Sequence, residues 1–311
     1  MSTAVAPYPI NLALIASIVI AYTNGEMIAD KVMPRVTVSQ AEFKYLVQTV
    51  ADHFTVPDTK VGRKARPNQV ESSGIMQTGA VFDYGLDEIV PIEDVRNSPE
   101  GVDPLALAAE FVMKLVTLDR EVRVANTVFG AANHNNKVTL SGSGQWSDYT
   151  SSDPISAILT NLDTPIMRPN VAIFGRSVWT KLILHPKVID YVNGKGGTSG
   201  GVTRQQLADA LELEEILVGS AFVNTAKKGQ AMSLQRCWGK HAAFIYREIP
   251  AETTRSTTWG FTAQQGERIS DAEFGKQHGG LEGGYQVRAG ERVNELVTAP
   301  DLSFFFQNAI A

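Results

Sequence analysis

The side chains able to do chemistry are few and dispersed. Five histidines occur, His53, His134, His185, His241 and His278, and none pairs at the four-residue spacing that sets two metal ligands on one helical face. Cys237 is the only cysteine, which excludes an intrachain disulfide and a cysteine-rich zinc site. Gly197-Thr198-Ser199-Gly200-Gly201 matches the G-x-S-x-G pattern of serine hydrolases. That pattern works only on a tight strand-to-helix turn that exposes the serine hydroxyl. Here the preceding residues, Lys187 to Val192, read as a helix, and glycines at 194, 196, 197, 200 and 201 make the loop too pliable to preorganise a nucleophile. No Walker-type phosphate loop exists: Gly194-Lys195-Gly196 has its lysine misplaced, and Gly275-Lys276 is followed by Gln277. No catalytic residue, cofactor or metal site is therefore expected.

A second chemical feature is a basic cluster, Lys60, Arg63, Lys64 and Arg66, around Gly62. Three readings fit it: a solvated charge run, contact with an acidic patch on a neighbouring subunit, or contact with nucleic acid. The cluster lacks the interleaved aromatics on which unpaired bases stack, which favours the neighbouring subunit. The whole chain carries 28 Lys and Arg against 33 Asp and Glu, a net charge of −5, which disfavours a dedicated DNA-binding protein. At 311 residues and 43% hydrophobic, it can bury one large core or two lobes. An apolar run from Ile10 to Tyr22 is too short to cross a bilayer, which needs about 20 residues. No Lys or Arg precedes it as in a secretory signal, so it reads as a buried or partner-facing arm, with no membrane and with folding in the cytoplasm.

The elements that would carry these features are mostly visible. Phe43 to Phe54 is rich in β-formers, and Val81, Phe82 and Tyr84 suggest a returning strand, so the basic cluster would tip a long two-stranded excursion. Such an arm has little core and would be steadied by lying on a neighbour. Asp103-Pro104 is an N-cap followed by a first-turn proline. Leu105, Ala108, Val112, Leu115, Leu118, Val122, Ala125 and Phe129 then predict one apolar stripe on a long helix over 104–132. Asp153-Pro154 opens a second helix to about Leu162, Ser177 a third through Leu184, resumed after Pro186, and Thr203 a fourth. Strands are expected at Asn170–Phe174, Glu215–Val218 and Ala242–Tyr246, giving an α/β lobe over 151–249. The C-terminal part is β-rich, at 257–262, 285–288, 292–298 and 302–307. A mobile loop is expected where Gly275, Gly279, Gly280, Gly283 and Gly284 cluster.

Four stretches, in order, resemble one family. They are Ile28 to Val36 (IADKVMPRV), Leu118 to Asn126 (LDREVRVAN), Ser141 to Pro154 (SGSGQWSDYTSSDP), and Gly175 to Trp179 with His185 to Val188. Together they are similar to blocks of tailed-bacteriophage major capsid proteins. The resemblance covers most of residues 20–190, and the C-terminal third matches mainly in pattern. It implies an α+β Hong Kong 97-like fold. The N-terminal arm would be 1–36, the extended loop 37–90 and the axial domain 151–249. The peripheral domain would be 91–150 with 250–311, carrying the spine helix. Gly194, Gly196, Gly197, Gly200 and Gly201 would lie near the five- and six-fold axes.

The function so implied is a structural head protein that assembles with itself as pentamers and hexamers around double-stranded DNA, in a virion put together in the bacterial cytoplasm. The short N-terminal region implies a separate scaffolding protein, beside a portal and possible decoration proteins. The lysine–asparagine cross-link of some relatives is not expected, since no acidic catalyst is apparent beside Lys60, Lys64 or Asn308. One alternative is the shell protein of a bacterial nanocompartment with the same fold. A second is a soluble hydrolase using Ser199.

Overall fold

The computed structural model describes residues 24–48, 54–71, 74–99, 101–194, 201–227, 229–248 and 257–311. The apolar run at 10–22 and positions 196, 197, 199 and 200 of the glycine-rich loop lie outside the described residues.

One sheet is buried on both faces. Its order is β5 (Asn136–Thr139), β14 (Ser303–Gln307), β10 (Ala242–Ile245), β6 (Val171–Gly175) and β7 (Glu215–Gly219). The two outer pairings are parallel and the two inner ones antiparallel. Alternation along the strands sends Ala172, Phe174, Val218, Phe244, Phe304 and Phe306 to one face and Val171, Ile173, Leu217, Ala243, Ile245 and Phe305 to the other. Helices α4 (Pro154–Leu162), α5 (Arg176–Ile183), α6 (Pro186–Asn193) and α7 (Arg204–Ala210) contribute Ile158, Leu162, Leu182, Val188 and Leu207 to the core on the first face. The other face packs on the four-residue helix α1 (Ala29–Val32), Trp238, Trp259 and the C-terminal half of the long helix α3 (Pro104–Val128).

The N-terminal half of α3 lies on a second sheet. There β1 (Arg35–Thr37), β11 (Gly260–Gln264), β13 (Gly284–Val297) and β12 (Ile269–Gly275) follow in order, with β4 (Phe82–Pro91) along the opposite edge of β13. Its cover is thin. Val90, Ala108 and Val287 form its buried cluster, and the short helix α2 (Ile92–Arg96) adds Val95 at the margin. From this sheet projects a hairpin, β2 (Glu42–Gln48) against β3 (Gly74–Ala80), and residues 54–71 belong to its far end. A further small hairpin, β8 (Phe222–Asn224) with β9 (Leu234–Arg236), stands beyond β7.

Local signals located the helix starts. Asp103 accepts from Leu105 N, Asp153 from Ser156 N, and Thr203 forms a full capping box with Gln206. Four expectations need correction. Helix α3 stops at Val128, not 132, because Asn133 Nδ2 and His134 Nε2 take the Thr127 and Val128 carbonyls (2.7 Å each) and turn the chain away. Ser177 is not a cap: α5 begins at Arg176 straight after β6, with Gly175 at the cap position and no side-chain bond. The strand returning from the excursion is Gly74–Ala80. Phe82 and Tyr84 instead enter β4, whose partner is β13. The C-terminal strands at 285–288 and 292–298 are one strand, and the chain before the glycine cluster is strand β12, so the glycines sit at and between the paired ends Gly275 and Gly284 of a β-hairpin. Gly279, Gly280 and Gly283 take positive φ there, which explains their clustering.

His134 closes the end of α3. It is fully buried, stacked between Trp259 (5.2 Å) and Phe305 (4.9 Å). Its Nε2–H donates to Val128 O, so Nδ1 accepts from the Ser303 hydroxyl at 2.7 Å. Burial depresses its pKa to about 4. A group depressed in the folded state binds its proton first in the unfolded chain, so its contribution is complete above about pH 6.5 and is lost as pH falls toward 4. The loss amounts to about 3 kcal/mol. Urea unfolding of the subunit at stepped pH should show that fall, and His134→Gln should flatten it. Equal slopes for the two proteins would contradict the assignment.

Candidate assembly surfaces

The basic cluster lies at the exposed far end of the β2–β3 hairpin. Lys60, Arg63, Lys64 and Arg66 are all exposed on a locally ordered turn. Ala65 N bonds to Gly62 O, Lys60 N to Asp58 Oδ1, and Asn68 Nδ2 to Asp58 O, each at 2.9 Å. Apolar side chains accompany the charges in water. Val56 is 91% exposed, Val70 72%, Ile75 67% and Phe54 65%. Only the root of the hairpin is packed, where Tyr45 meets Phe261 edge-on at 6.4 Å and Phe43 occupies the space a side chain at Gly79 would need.

A second surface lies on the exposed side of α3. Leu107, Phe111 and Leu115 recur every four residues and are all exposed, a stripe separate from the buried one. The expected stripe holds at Ala108, Val112 and Ala125, which are buried, but not in its middle. There Leu115 and Leu118 are not buried, and the buried face runs Ala108, Val112, Val116, Arg120, Val124, Val128. Two charged residues, Arg120 and Glu121, are fully buried on it.

Those two residues form the joint that holds the surfaces in place. Glu121 Oε1 accepts from Ile28 N (2.9 Å) and from Trp238 Nε1 (2.6 Å), and Oε2 accepts from Ala29 N (2.8 Å). The carboxylate thus caps α1 and fixes the indole that lies against Gly219. Burial pushes its pKa above the ordinary carboxylate range, and the three N–H donors pull in the other direction. Arg120 binds Asp30, Thr262 Oγ1 (3.1 Å) and Met33 O (3.4 Å). The sequence signal for this joint was a charged pair interrupting an apolar repeat with four-residue spacing.

Groups that imitate a catalytic centre do not make one. Ser152 Oγ lies 3.0 Å from His185 Nε2, both buried. His185 Nδ1 accepts from Lys187 N at 3.2 Å as the cap of α6, so the proton sits on Nε2 and the ring cannot act as base toward Ser152. The Ser152 hydroxyl donates instead to Asp148 O (2.6 Å). The loop holding Ser199 leaves helix α6 at Gly194 (φ +79), not a strand, so the nucleophile turn lacks its required approach. Gly201, at the loop's other end, is exposed before α7. Among the described residues no three His, Cys, Asp or Glu gather as a metal site, and no helix is long and apolar enough to cross a membrane.

This arrangement has known counterparts. No protein-family model matches the chain. A crystal structure of a phage-related protein from Bordetella bronchiseptica RB50 superposes with a TM-score of 0.70 at 22% identity, covering 93% of this chain and 94% of that one. The capsid structure of cyanophage P-SCSP1u gives 0.64 at 10% identity, over 94% and 91%. The fold is therefore of the Hong Kong 97-like class found in phage capsids. The major capsid protein of Pseudomonas phage JBD67 is 49% identical over 308 residues, 98% of this chain and 99% of that one. At that identity and coverage the chain belongs to the phage major capsid protein family. The nanocompartment alternative, left open by the fold, is set aside by this relative.

Replacing Glu121 by Ala leaves three buried N–H donors without a partner, so it should lower the unfolding free energy by about 3 kcal/mol or more. Trypsin should then cut rapidly at Lys31 and Arg35. An unchanged urea midpoint and digestion pattern would contradict the joint.

Proposed function

We propose that this major capsid protein assembles as pentamers and hexamers into an icosahedral head around double-stranded DNA. In this reading residues 1–36 act as an N-terminal arm and 37–90 as an extended loop laid across a neighbouring subunit. Residues 91–150 and 250–311 serve as the peripheral domain and 151–249 as the axial domain, with Gly194 to Gly201 near the symmetry axes. Assembly in the bacterial cytoplasm, with scaffolding, portal and decoration proteins, belongs to the same reading.

The observation that carries it is the hairpin end at 54–71. Its valines and Phe54 are exposed beside four cations, with no core of its own. Apolar area left in water at about 25 cal/mol per Å² favours a partner that removes it. The α3 stripe has the complementary character. Residues 82–119 hold nine Asp or Glu against Arg96 and Lys114. Arg292 and Arg288 pair with Asp83 and Asp87 on the outer sheet face, which leaves Glu93, Asp94 and Asp103 on the elements beside Leu107 and Phe111. A basic, apolar tip and an acidic, apolar helix suit each other between copies.

Changing Arg63, Lys64 and Arg66 together to Glu reverses the tip's charge at exposed positions. Circular dichroism should remain that of the folded subunit, while negative-stain micrographs should show shells absent or reduced. Normal shells from this variant would defeat the proposed contact.

A further inference from the structure

A second basic protrusion has no part in the contacts above. Between Glu215 and Glu248 the chain contains no Asp or Glu, but it carries Lys227, Lys228, Arg236, Lys240 and Arg247. Two of these cations are engaged elsewhere. Arg247 is buried against Glu215 (2.9 Å) and Lys31 O, and Lys240 Nζ donates to Ala311 O (2.7 Å). Lys227 and Arg236 are exposed on the β8–β9 hairpin, and among the described residues no carboxylate pairs with either.

The hairpin is preorganised. Asn224 Oδ1 accepts from Ala226 N (3.1 Å) and Ser233 N (3.0 Å), and Gln230 N bonds to Lys227 O (3.0 Å) across Gly229, whose φ is +89. At its base the Asn24 side chain bonds Phe222 O and Phe222 N, each at 2.9 Å, like one more rung of strand. The Arg236 guanidinium lies 3.8 Å over the Phe222 ring, with Nη1 donating to Ser220 O (2.6 Å). Its remaining N–H groups are held in one orientation without a carboxylate partner.

We infer that this hairpin is the surface on which the sugar–phosphate backbone of duplex DNA rests against the subunit. The inference rests on the reading that the shell encloses DNA. A chain of net charge −5 repels a polyanion over most of its surface, and a rigid acid-free hairpin is where that repulsion reverses. Backbone contact, rather than base stacking, follows from the one aromatic ring being covered by Arg236. Exposed Gln230, Ser233 and Gln235 add hydrogen-bonding groups suited to phosphate oxygens. The competing occupant is an acidic protein, which would use exposed Met232 and Leu234 on the same hairpin.

The test titrates a fluorescent random-sequence DNA duplex with the full chain over a range of salt, and images the same preparations by negative stain. Each phosphate contact contributes about 0.9 to the slope of log K against log salt, so Lys227→Gln should make the slope shallower by about 1. Adding Arg236→Gln should take that to about 2 and lower the low-salt affinity at least ~10-fold. Shells should persist in the Lys227→Gln variant, and Met232→Ser with Leu234→Ser should leave DNA binding unchanged. A slope unaltered in the Lys227→Gln variant, or binding lost through Met232 and Leu234 instead, overturns the inference. Absence of shells from the wild-type chain would instead count against the proposed head function.

Discussion

A single buried carboxylate joins the N-terminal segment, the long helix and Trp238. Glu121 is enclosed on the long helix, at the level where α3 passes from one sheet to the other. An ionised carboxylate there is tolerable only because three N–H donors converge on it. Two of those donors belong to the chain entering α1 and the third to Trp238. The indole in turn needs bare backbone beneath it. A Cβ at Gly219 would fall 2.0 Å from Trp238 Cδ1, and one at Gly175 would fall 2.0 Å from Gly239 O. The carboxylate therefore ties the N-terminal segment, the helix and the strand ends of the two-faced sheet into one geometry.

Around it the thin sheet is secured by charge instead of bulk. Asp30 receives Arg35 (2.7 Å) and Arg120; Glu291, almost fully buried, receives Arg35 (2.8 Å) and Arg268 (3.2 Å); Glu295 receives Arg123 (3.2 Å). Burial works to raise the Asp30 carboxyl, yet Arg120 and Arg35 beside it hold it below the ordinary range. Such pairs are weak as net stabilisers, but removing one partner strands a buried charge, so they penalise any other register. The parallel pairing of Val36 with Ala263 is held in this way, where only three residues of β1 meet the sheet.

How far the sequence revealed this depends on the range of each interaction. Helix starts at Asp103, Asp153 and Thr203 are decided within four residues and were legible. The middle of the α3 stripe was not, because two of the residues buried there are charged and their partners lie about 90 and 117 positions away in the chain. Strand β12, exposed on all but its last residue, has no apolar pattern of its own and exists only through β13. The resemblance was carried by blocks whose physical role became visible only in three dimensions. Ile28–Val36 and Leu118–Asn126 are the two sides of the Glu121 and Arg120 contacts. The basic cluster at 60–66 was legible as a surface feature, while the exposed stripe at Leu107, Phe111 and Leu115 was hidden inside a helix read as having one apolar face.

The distribution of burial explains why these features coexist in one subunit. The two-faced sheet closes both of its surfaces internally, with aromatic contacts such as Phe174 against Phe244 (5.7 Å) and Trp146 against Phe306 (5.2 Å). Exposed large apolar residues concentrate elsewhere, on the hairpin and its end, on β4 at Phe82, Leu86 and Ile89, and on the first half of α3. A chain that folds alone before it assembles needs a self-sufficient core, and a chain that assembles needs apolar area withheld from that core. Placing the two on different sheets lets each be satisfied without weakening the other. The long helix must then transmit the position of one to the other, and at its crossing point directional hydrogen bonds to a charge add to the apolar packing of Val124, Ala125 and Val128 and oppose sliding.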